Sequence, residues 1–344
     1  MLNVMIAVLV FGLIIIMHEF GHFLMAKRTG VKVEEFAVGF GPRLLGFKKG
    51  ETLYSIRFLP VGGFVRMAGT GPEEQDTQGR GFNDKTVLQR MAIIVAGPAM
   101  NFLLAALAFT LLFWAIGVPV NDPADTQIGE VLEGFPAEGA GIRPGDEVLA
   151  INGQQVNSWA EMVRIIQENP EREVLLTIKR NGNVIQVPVT PATNEKLGSF
   201  GFIGVRPVTR TVKYGLLESI GLGVVRTGAM MVVWFKGIVL MLTKQVEADI
   251  AGPVGITEML SQAVTMGLGY LVHLVGALNA VIGIINLLPV PALDGSRLVF
   301  LSIEGVRGRP VDPARENFIH FVGLVFLMIL ALFITYQDII RLGV

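Results

Sequence analysis

The apolar run at the start of this chain is broken by one short polar cluster, His18-Glu19-Phe20-Gly21-His22. Met1–Met17 carries no charge, and the apolar character resumes at Phe20 and Phe23–Ala26. A run of about 20 mostly apolar residues crosses the hydrocarbon core as a helix, and a carboxylate inside such a helix costs at least about 2.5–3.5 kcal/mol on insertion scales. Secretory signal peptides have a basic start and a small-residue cleavage site. Neither is present, so the run is expected to remain as a first membrane helix.

Histidines four residues apart share one face of a helix, so both imidazoles can aim at a single ion. Glu19 sits beside them on the next face, placed to take a proton from a water molecule that the ion activates. Hydrolytic zinc takes three protein ligands and keeps one position open, so His18 and His22 require a partner from elsewhere in the chain. The sequence holds no cysteine and only two further histidines, His273 and His320. This excludes disulfides and thiol catalysis and leaves His, Asp and Glu as ligands.

Composition agrees with a membrane protein bearing a soluble insert: 51% of the 344 residues are hydrophobic and 17% charged, against roughly 25% charged in soluble domains. A formal net charge of −1 gives no reason to expect nucleic acid as a partner. Met91–Val120, Gly267–Leu288 and Asn317–Tyr336 are three further uncharged runs. Residues 27–90 hold eleven Lys and Arg, and the loop 305–316 carries Arg307, Arg309 and Arg315. The positive-inside rule assigns both to the cytoplasm. The segment 121–215 is then outside, and an odd number of crossings must follow it. Gly267–Leu288 supplies that crossing. Leu216–Thr243, which is oily but contains Arg226 and Lys236, is therefore expected to lie on the membrane as an amphipathic element, giving four crossings.

The best third ligand lies in Asn286–Gly295, "NLLPVPALDG". Pro289 and Pro291 must end or interrupt a helix, and irregular backbone at membrane depth is tolerated where it lines a cavity or is buried in protein. Asp294 follows, the first charge after an uncharged stretch from Met259 to Leu293. Its depth fits: His22 and Asp294 both fall a short way before cytoplasmic basic residues. Glu34 and Glu35 sit in a charged loop, and His273 and His320 lie within spans as packing or interfacial residues.

Residues 126–192 read as a soluble α+β module. Ser158 is an N-cap with Glu161 three residues later, as in a capping box, and two alternating strands flank Asn181-Gly182 as a hairpin. With "AGIRPGDEVLAINGQQV" (Ala140–Val156), this insert resembles a PDZ domain of the protease-associated type, a module that binds extended peptides at a sheet edge. Val31–Ala68 also alternates like strands, and Gly39-Phe40-Gly41 would let an extended chain approach closely.

Together, HEFGH, Gly97-Pro98-Ala99-Met100-Asn101, one PDZ insert and NLLPVPALDG resemble the site-2 protease family of intramembrane zinc metalloproteases, in its bacterial branch. The resemblance covers essentially the whole chain. It implies a polytopic α-helical protein of about four transmembrane helices in the bacterial cytoplasmic membrane. A membrane re-entrant β-region covers about 31–68, and an extracytoplasmic PDZ domain is inserted at 121–210. The first half of the core is 1–120, a surface segment runs over 211–266 and the second half of the core is 267–344. The implied reaction is Zn2+-dependent cleavage of membrane-spanning helices of single-span proteins, such as anti-sigma factors or signal-peptide remnants, toward the cytoplasmic side of the lipid bilayer. By the same resemblance His18, His22 and Asp294 match the zinc ligands, Glu19 the catalytic base and Asn286 a substrate-binding residue. Many members follow L-D-G with Gly and His; here Ser296 and Arg297 follow Gly295, which affects the shape of that loop and no ligand. The alternatives are an idle PDZ adaptor with a structural metal, which an intact Glu19 disfavours, and a metal transporter, which the lack of paired repeats disfavours.

Overall fold

The computed structural model describes residues 2–70, 79–194, 198–243 and 251–342. Parts of the expected cytoplasmic loop (71–78), of the PDZ insert (195–197) and of the expected surface segment (244–250) lie outside the described residues. The chain divides into two units, 1–116 with 214–344, and 117–213.

The first unit begins with α1 (Leu2–Arg28), which ends on Lys27 and Arg28, cations suited to a helix C-terminus. Two long strands follow, β1 (Val33–Lys49) and β2 (Thr52–Met67). Each bends, so their halves pair separately. Residues 33–38 pair with 63–67 on one side and with 53–56 on the other, while 43–49 pair with 52–57. The result is four ribbons in the order 43–49, 52–57, 33–38, 63–67. Glu35 is buried in this sheet, where Ser55 and Arg57 donate hydrogen bonds to its carboxylate at 2.6 and 2.7 Å. α2 (Val87–Leu111) starts at a capping box made by Thr86 and Gln89 and runs into a π-turn at Leu112–Ile116.

The second unit is the insert. β3 (Val118–Val120) pairs with 210–212, and β4 (Ile128–Val131) pairs with 205–207. A short α3 (Pro136–Gly139) leads to β5 (Glu147–Ile151), β6 (Gln154–Gln155), α4 (Trp159–Gln167), β7 (Val174–Arg180) and β8 (Asn183–Val189). These four strands form an antiparallel sheet in the order β6-β5-β7-β8. Met162 and Ile166 from α4 pack on Val148, Ile151, Leu176 and Ile178 of the sheet. Ser158 Oγ accepts the Glu161 N–H, and the Glu161 carboxylate accepts the Asn157 N–H, one residue earlier than in a strict capping box. Asn181 and Gly182 both have positive φ, 49° and 83°, as a type I′ hairpin turn requires.

Returning to the first unit, the chain forms α5 (Leu216–Leu242), α6 (Pro253–Met266), α7 (Leu268–Leu287), α8 (Asp294–Arg307) and α9 (Pro313–Leu342). Among the described residues, five helices are long and apolar enough to cross a membrane: α1, α2 with its π-turn, α5, α7 and α9. Counting loop charges yields four, because the parity argument sets α5 aside. α5 has the required length despite Arg226 and Lys236, and it turns a small-residue face to α2. Ser219 and Thr227 on that face are buried, and a Cβ at Gly223 between them would stand 2.5 Å from Thr110 Oγ1. Small residues four apart are what close helix approach in membranes uses. α6 is packed against α1, α7 and α9, and Asp338 of α9 accepts the Gly255 N–H in its first turn at 2.8 Å.

Candidate active site

The crossing of α1 and α2 sets the site. A Cβ at Gly21 would fall 2.2 Å from the Ala96 carbonyl oxygen, and one at Gly97 would fall 2.3 Å from His22 Nε2 and 2.9 Å from His18 Cε1. Only the lack of side chains at this crossing allows α2 to lie directly against the two imidazoles. The four-residue spacing of the histidines on α1 thus meshes with the four-residue spacing of Gly97 and Asn101 on α2.

Both rings are fixed from α2. His22 Nδ1 donates to the Ile93 carbonyl at 2.8 Å, and His18 Nδ1 donates to Asn101 Oδ1 at 2.6 Å. With each Nδ1 carrying its proton, each Nε2 is left with a lone pair, the tautomer a metal ligand needs.

Asp294 arrives from the other end of the chain. α7 ends at Leu287, Pro289 and Pro291 carry the chain through an irregular loop, and Asp294 is the first residue of α8. A carboxylate in the first turn complements the helix dipole. Ala292, two residues earlier, has φ +73°, and its N–H donates to His320 Nδ1 on α9 at 3.2 Å. Ser296, at the departure from the family pattern, donates its hydroxyl to the Leu293 carbonyl at 2.7 Å and closes the first turn of α8. This arrangement brings Asp294 Oδ2 to 3.2 Å from both His18 Nε2 and His22 Nε2, which are themselves 3.2 Å apart.

Three ligand atoms therefore form a nearly equilateral triangle. Tetrahedral zinc with bonds of 2.0–2.1 Å sets its ligand atoms about 3.3–3.4 Å apart, so the triangle has the size the ion requires. Asp294 Oδ2 is also a buried oxygen with no hydrogen-bond partner. Buried polar atoms without partners are rare and call for an explanation; here a cation provides one. The donor set of two imidazoles and a carboxylate matches known hydrolytic zinc sites.

Glu19 lies beside this triangle and not within it. Its Cγ lies 3.7 Å from the position a Cβ on Gly63 would take. The outer ribbon 63–67 of the β-sheet consequently runs next to Glu19. Gly39 and Gly41 both have positive φ, and Phe40 between them stacks on Phe64 at 6.2 Å. Asn286 near the end of α7 donates to the Ile282 carbonyl of its own helix at 3.1 Å. Neither Asn286 nor Gly39–Gly41 contributes an atom to the triangle. His273 packs on the Phe109 ring at 5.7 Å, and His320 holds the Asp294 loop; neither contributes an atom to the triangle.

Sequence reasoning quoted Gly97 and Asn101 only within a motif and assigned neither a role of its own. The available signal was a glycine and an asparagine four apart in an uncharged span, matching the spacing of the histidines.

The peptidase family M50 model matches residues 6–330. A zinc metalloprotease RasP from Bacillus licheniformis is 34% identical, over 99% of this chain and all of that protein. The regulator of sigma-W protease RasP from Bacillus subtilis is 33% identical, over 99% of each. Among solved structures, a PDZ domain of an SdrC-like protein from Listeria monocytogenes is 23% identical with a TM-score of 0.23, over 26% of this chain and 94% of that domain. The chain belongs to peptidase family M50, the site-2 proteases, as a RasP-like zinc metalloprotease.

Proposed function

We propose that this protease cleaves the membrane-spanning segments of single-span proteins within the bilayer, with His18, His22 and Asp294 as zinc ligands and Glu19 as general base. The observation that carries the reading is the 3.2 Å triangle of ligand atoms, built from helices apolar enough to cross a membrane, with a carboxylate at its side. Bound zinc supplies Lewis acidity to water and to the scissile carbonyl. Glu19 takes the proton of the attacking water and delivers it to the leaving amine. Ile93 and Asn101 hold the imidazoles so that neither ring turns its N–H toward the ion.

A transmembrane helix conceals its peptide bonds, so cutting requires local unwinding. The ribbon 63–67 beside Glu19 offers main-chain groups for pairing with the unwound segment by strand addition. Gly39-Phe40-Gly41 and Asn286 are proposed to hold the flanking substrate. The excess of Lys and Arg in residues 27–90 supports a site toward the cytoplasmic face and a PDZ insert outside. The B. subtilis relative is named as a regulator of sigma-W, which supports an anti-sigma factor as one substrate; a signal-peptide remnant is another single-span substrate of suitable form.

The test uses the detergent-purified chain and a model single-span substrate. Cleavage is expected, lost with a zinc chelator and restored by added Zn2+, while Glu19→Gln remains inactive throughout. Cleavage by Glu19→Gln at the wild-type rate would sink the assignment of the base.

A further inference from the structure

The hydrogen bond at His18 does not end at Asn101. Asn101 Nδ2 donates to Oδ1 of Asn279 on α7 at 3.1 Å, and Asn279 Nδ2 donates to the Val275 carbonyl at 2.8 Å. Asn101 is 0% and Asn279 1% exposed, so no solvent competes for these amides.

A backbone carbonyl can only accept. The direction of the whole chain therefore follows from its far end. Val275 obliges Asn279 to present Nδ2 to it, which turns Oδ1 toward Asn101. Asn101 must then direct its own Nδ2 to Asn279 and its Oδ1 to His18. His18 must donate from Nδ1, and its Nε2 keeps the lone pair that points at Asp294 Oδ2.

We propose that Asn279 is a positioning residue of the zinc site, acting through Asn101 to select the metal-binding tautomer of His18. The proposal rests on the zinc-centre reading above. Without Asn279 nothing fixes the Asn101 amide. Turned by 180°, that amide would offer N–H to His18 Nδ1 and move the ring proton to Nε2, where it blocks the ion.

The experiment measures zinc affinity of the full-length protein in detergent by competition with a chelator of known affinity. Asn279→Leu, nearly isosteric, is expected to weaken zinc binding by about 10–100-fold, the usual effect of losing an outer partner of a metal ligand; Asn279→Ala, which adds no volume, is expected to do the same. Asp at 101 accepts from His18 through either oxygen, so the double variant Asn101→Asp/Asn279→Leu is expected to recover affinity to within a few-fold of wild type. A purely structural role for Asn279 would leave the double variant as weak as the single one, and that result overturns the proposal. So does wild-type affinity in both single variants. A wild-type chain that binds no zinc would instead overturn the zinc-centre reading beneath it.

Discussion

At the scale of single residues, the tightest constraint is the missing side chain at Gly97. A methyl group there would stand 2.3 Å from His22 Nε2, far inside van der Waals contact, and overpacking of this kind costs about 1–3 kcal/mol where neighbours can shift. The easiest shift is of the imidazoles away from Asp294. Gly97→Ala is therefore expected to keep its helical circular dichroism and lose most of its zinc by metal analysis. Gly237→Ala on α5, where nothing lies within 4 Å of the added carbon, is expected to retain both. Equal zinc in the two variants would show that α2 does not confine the rings. The residues of the triangle and Glu19 stand out in the sequence because ionisable groups in apolar spans are expensive. Gly97, Asn101 and Asn279 carry no charge. In one sequence they cannot be told from packing residues, since their meaning lies in what they face.

At the scale of elements, alternation along Val31–Ala68 correctly identifies strands, but a period of two says nothing about partners. The doubling of β1 and β2 into four ribbons, and the placement of 63–67 beside Glu19, are decided by bends that leave the alternation intact. The insert was more legible, because caps and turns are local: Ser158 and Asn181-Gly182 act on their immediate neighbours. Its most buried ion pair is long-range, Arg180 with Asp146. Burial pushes the Asp146 carboxyl up, but Arg180, donating to both oxygens at 2.7 Å, and the Arg143 backbone N–H at 2.8 Å outweigh it and hold it below the usual carboxylate range. A depressed folded value stabilises the insert above the unfolded pKa of about 3.9, and that contribution is lost as pH falls through the folded value. Asp146→Asn is expected to cost about 1–3 kcal/mol near neutrality and to flatten the acid limb, read by amide hydrogen exchange over 117–213 in the full chain. An unchanged acid limb would remove the Asp146–Arg180 tie from the stability of the insert.

At the scale of the whole molecule, the triangle of His18, His22 and Asp294 is assembled from residues more than 270 positions apart in sequence. Both segments that meet there end a short way before basic residues, Lys27 and Arg28 after His22 and Arg307 after Asp294. The structure supplies what holds them in register. Arg90 at the start of α2 pairs with Glu304 on α8, Ala292 is held from α9 by His320, and Asn101 is held from α7 by Asn279. These ties join elements whose order along the chain does not reveal their contact. Loop charges set only the parity of the crossings, whereas the length and apolar character of α5 make it a fifth helix able to cross a membrane.

The central claim is that Asp294 completes a zinc site with His18 and His22, leaving Glu19 free for chemistry. Zinc content per chain after identical dialysis against a weak chelator tests it most directly. The account predicts close to one zinc in wild type and in Glu19→Gln, and far less in Asp294→Asn. Zinc in Asp294→Asn at the wild-type level would mean that the third ligand is some other residue, and the site as described would be wrong.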